Sequence, residues 1–88
     1  MGSFIGGSAY AMSRDIAEGM ILVSSATLKK FSVSDLKQLI FELDRVQKEI
    51  RSDQPAKDDT LAIQKRGRKL GRVTQTLIIL NAALVKKP

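Results

Sequence analysis

The chain has 88 residues, 43% of them hydrophobic, with 15 Lys and Arg against 9 Asp and Glu, a formal net charge of +6, and no Cys, His or Trp. Without Cys there are no disulfides or thiolate metal sites, and without His the usual general base near neutral pH and the commonest nitrogen metal ligand are gone. The expectation is therefore a single small domain that is not an enzyme and carries no cofactor or metal; at this size a fold buries only about 60–65% of its unfolded surface and has little stability to spare.

Charge is unevenly placed. Residues 58–88 hold seven basic and two acidic groups, so five of the six net charges lie in the last third. A basic patch of this kind attracts polyanions, acidic protein surfaces or anionic lipid. The longest wholly apolar runs, Met20 to Val23 and Leu77 to Leu80, fall far short of the roughly 20 residues that span a bilayer, and no export signal is read. The expected location is the cytoplasm.

In chain order, residues 1–12 read as a flexible leader or an artificial extension, with Met12 a plausible start, and residues 13–88 as one helical domain. The first helix is predicted from Arg14 to about Lys30, capped by Ser13, with Ile16, Met20, Val23 and Thr27 on one face. A short strand at Met20–Val23 is the alternative, disfavoured because the chain offers it no partner. Phe4, Tyr10 and Phe31 stand too isolated for a role to be read.

The second helix is predicted over residues 33–52. Ser32 caps it, Asp35 favours its positive end, and Leu36, Leu39, Ile40, Leu43, Val46 and Ile50 form one stripe; Pro55 enforces a stop near Ser52 and Asp53. The third begins at Asp58-Asp59-Thr60, either Asp serving as cap rather than as cation ligand, and runs to about Lys86 before Pro88. A linker of about five residues folds the two long helices into an antiparallel hairpin, Leu36, Leu39, Leu43 and Val46 facing Leu80, Leu77, Val73 and Leu70. Arg66 falls on the apolar seam. Gly67 and Gly71 either form a small-residue face that admits another helix or weaken the helix there.

Two long helices alone bury too little to offset the ordering of about 50 residues, and residues 77–85 are apolar on nearly every face. The predicted fold is thus all-α, an antiparallel two-helix hairpin plus an N-terminal helix, assembled as a homodimeric helical bundle. Phe41, which lies opposite the stripe among Lys37, Arg45 and Lys48, together with Leu77, Ile78, Ile79 and Leu84 is the predicted oligomer or partner interface. Lys65, Arg68, Lys69 and Arg72 share an arc of about 100° with no acid among them, a geometry that can meet successive phosphates or an acidic protein partner, or can simply be a solvated face. The piece Arg66-Gly67-Arg68 lacks the proline an AT-hook requires. The functional expectation is a non-enzymatic interaction or regulatory module acting through self-association and partner binding, the alternative being a nucleic-acid-binding hairpin dimer.

Overall fold

In the computed structural model, which describes residues 7–86 except the side chain of Ser25, four α-helices form and no strand is present among those residues. Helix α1 spans Ala9–Ala17 and starts where the Ser8 hydroxyl accepts from the Ala11 amide at 3.1 Å. It stops at Gly19, whose φ of +82° suits a residue without Cβ. The Gly19 amide donates to the Ile16 carbonyl and the Met20 amide to the Asp15 carbonyl, the paired bonds of a Schellman end.

These bonds correct the sequence reading of the N-terminal third. The single helix expected over Arg14–Lys30 is instead α1, a connection through residues 18–24, and a one-turn α2 at Ser25–Leu28 capped by Ser24. Ser13, expected as the cap, lies inside α1, fully buried, and its hydroxyl donates to the Ala9 carbonyl at 2.8 Å. Residues 9–12, assigned by sequence to the leader, open α1 and place Ala9 and Met12 in the core. Residues 1–6 of that leader and the expected stop at Pro88 lie outside the described residues.

Helix α3, Val33–Ser52, has the predicted bounds. Ser32 and Asp35 form a reciprocal capping box at 3.0 and 3.1 Å. Phe31 precedes the cap and Leu36 lies four positions into the helix, the two places of a hydrophobic staple, and both are buried in the same core. Helix α4, Thr60–Lys86, also follows expectation, with Asp59 as its cap accepting from the Ala62 amide. It runs unbroken through Gly67 and Gly71. A Cβ added at either glycine would meet nothing within 4 Å, so neither admits a close neighbour inside this chain.

The core joins Met12 and Ile16 of α1, Leu28 and Phe31, the α3 stripe of Leu36, Leu39, Leu43 and Val46, and Val73 and Leu80 of α4. Leu77, Leu84, Ile79 and Ile50 pack at its edge. The polar groups drawn inside are satisfied, Gln47 donating to the Thr74 hydroxyl at 3.1 Å and Thr76 to the Arg72 carbonyl at 2.8 Å.

Candidate functional site

Helix α4 carries six cations and, across all 27 residues, no acid. Two of its arginines are committed to holding the fold. Arg66, half-buried on the seam, donates through Nε and Nη2 to the carbonyls of Ile50 (3.2 Å) and Arg51 (3.0 Å). Those carbonyls belong to the last turn of α3, where no intrahelical donor remains and the helix dipole is negative. Arg72 repeats the arrangement on α1, donating through Nη1 to the Ala17 carbonyl at 2.9 Å. Its guanidinium lies so close to Gly19 that a Cβ there would come within 2.9 Å of Cζ.

The predicted polyanion face is therefore divided. Lys69 pairs with Glu18 at 2.9 Å and Arg72 grips the end of α1, while Lys65 and Arg68 are exposed and carry no ion pair among the described residues. The sequence expectation of four cations with no acid holds along α4 itself, but packing of α1 brings Glu18 among them. The hydrogen bond from Lys69, with the positive charges of Lys69, Arg14 and Arg72, holds the Glu18 carboxyl below its ordinary value against an opposing effect of burial.

Between α1, the C-terminal half of α3 and the first half of α4 lies an open groove of about 660 Å³. Ala17, Val46, Ile50 and Ala62 form apolar lining, and Arg14, Lys65, Arg66 and Lys69 face Glu18, Glu49, Asp53 and Asp59 around it. Tyr10 has a place here. Its hydroxyl donates to Glu49 at 3.2 Å, Arg14 reaches Glu49 at 3.6 Å, and Arg45 stacks over the Tyr10 ring at 5.3 Å, tying α1 to α3. With four charges of each sign, the groove has no net preference for an anion.

Of the predicted interface residues, Phe41 and Ile78 stand 63% and 60% exposed, whereas Leu77, Ile79 and Leu84 are partly buried against the core. Val85 is 84% exposed and was not singled out by sequence. Four more exposed aliphatics among the described residues escaped the sequence reading: Met20, Leu22, Leu61 and Ile63. Met20 sits on the face that a continuous helix would bury; Gly19 was the signal that the helix has ended before it. No described helix is long and apolar enough to cross a membrane. Comparison with protein families, curated proteins and solved structures found no match to this chain.

Proposed function

We propose that the chain is a non-enzymatic helical interaction module that acts through self-association, α3 and α4 forming an antiparallel hairpin that a second copy completes as a bundle. The observation that carries this reading is the outward exposure of Phe41 and Ile78, on the two longest helices. Large apolar side chains left exposed on a chain this small favour protein contact over solvation, one standing on the outer face of each long helix. The hairpin is supported by register: Arg66 bonds at Ile50 and Thr74 at Gln47, so positions climb along α4 as they fall along α3.

On α4, Gly67, Gly71, Thr74, Ile78, Asn81 and Val85 recur at spacings of four and three, all exposed. This uncharged line suits close approach of another helix. Light scattering on the full chain tests the proposal: the mass of a dimer is expected, and Ile78→Asp is expected to give a monomer. A wild-type monomer at micromolar concentration overturns the proposal.

A further inference from the structure

A second surface lies roughly a third of a turn round α4 from Ile78 and pairs apolar with cationic groups. Leu61, Lys65, Arg68 and Arg72 recur at spacings of four, three and four and so share an arc of about 60°. The connection between α1 and α2 sits beside them. Arg72 clasps the end of α1 at the Ala17 carbonyl and lies against Gly19, and Leu22 lines a depression with Arg72 and Gln75. From this connection Met20 and Leu22 project 76% and 88% exposed, and Leu61 is 59% exposed.

We infer that this face docks on an anionic lipid surface, Met20 and Leu22 entering the boundary between headgroups and acyl chains while Lys65, Arg68 and the remaining donors of Arg72 meet lipid phosphates. Two features favour lipid over other polyanions. Apolar side chains standing clear of a convex loop gain nothing from a nucleic acid backbone, but a fluid interface closes round them. Glu18, which packing brings among the cations of α4, is paired with Lys69, and Lys65, Arg68 and Arg72 supply the second attraction that a weak hydrophobic anchor needs. The Schellman end and the Arg72 clasp anchor the start of the connection as far as Met20, which lowers the ordering cost at binding. This surface is separate from the proposed self-association face, and its test does not depend on that face.

The chain has no Trp, so Leu22→Trp makes a sole fluorescent reporter at the tip of the loop. With vesicles of phosphatidylglycerol and phosphatidylcholine its emission is expected to shift to shorter wavelength, and with phosphatidylcholine alone to stay unchanged. In co-sedimentation, Met20→Ser/Leu22→Ser is expected to weaken binding to the anionic vesicles about tenfold or more, and Lys65→Gln/Arg68→Gln by about fivefold per charge. All four residues are exposed, and unchanged melting curves will establish that the variants fold. No sedimentation with anionic vesicles overturns the inference. So does binding that the serine variant leaves intact and the glutamine variant abolishes, since that is the behaviour of a general polyanion contact.

Discussion

Arg66 and Arg68 lie two positions apart and carry the same charge, yet the structure gives them different work. Arg66 makes two charge-assisted bonds to carbonyls of the last turn of α3, so Arg66→Ala is expected to destabilise the fold by about 1–3 kcal/mol in urea denaturation. Arg68 is exposed and has no such partner among the described residues, and Arg68→Ala is expected to stay within about 0.5 kcal/mol of wild type. Glu18 sets a pH dependence. Its folded-state value is lowered, so its contribution is complete above the ordinary glutamate range, near about pH 4.3, and is lost as pH falls through the lower folded value. In Glu18→Gln that part of the acid destabilisation is expected to be absent from melts recorded between about pH 6 and pH 3. The effect will be small, because the Glu18–Lys69 pair is open to solvent.

At the level of elements, the glycines separate by conformation. Gly19 has positive φ and Arg72 against its open side, so Gly19→Ala is expected to lower stability by about 1–2 kcal/mol. Gly67 is helical with space around it, so Gly67→Ala is expected to raise the stability of the isolated chain by about 0.5–1 kcal/mol in a thermal melt. The same contrast explains what could be read beforehand. Helices α3 and α4 were legible because Ser32, Asp35 and Asp59 are local caps and Leu36, Leu39, Leu43 and Val46 keep a regular period. The N-terminal third was not, because Ile16, Met20, Val23 and Thr27 also keep helical spacing, and the period conceals a glycine stop unless the stop is given priority. Phe31 looked isolated for a related reason: its partner position, Leu36, is identified only once Ser32 is fixed as the cap.

Over the whole molecule, extents of 48 × 23 × 19 Å follow from one 27-residue helix that outruns what packs beside it. The first half of α4 borders the open groove, and its far end leaves Ile78 and Val85 outside. Leu39, fully buried within the core stripe of α3, is the place to test how much the shared core carries. Leu39→Ala is expected to cost about 2–5 kcal/mol, a large share of the stability of a domain this small, and to be read as a lowered denaturation midpoint. The charge placement of the candidate surfaces was visible from the chain alone. Which cations are spent internally was not, since Ala17, Gly19 and Glu18 meet α4 only through tertiary packing.

The arginine clasps have an asymmetric genetic consequence. Arg66 and Arg72 grasp main-chain oxygens, and every amino acid supplies one, so the receiving positions Ala17, Ile50 and Arg51 place no chemical demand on their own side chains at these contacts. Drift at those three codons leaves the clasps intact, while a single change in either arginine codon removes one outright. For the clasps themselves, mutational sensitivity is therefore concentrated on α4, and what constrains Ala17 and Ile50 is their packing in and against the core.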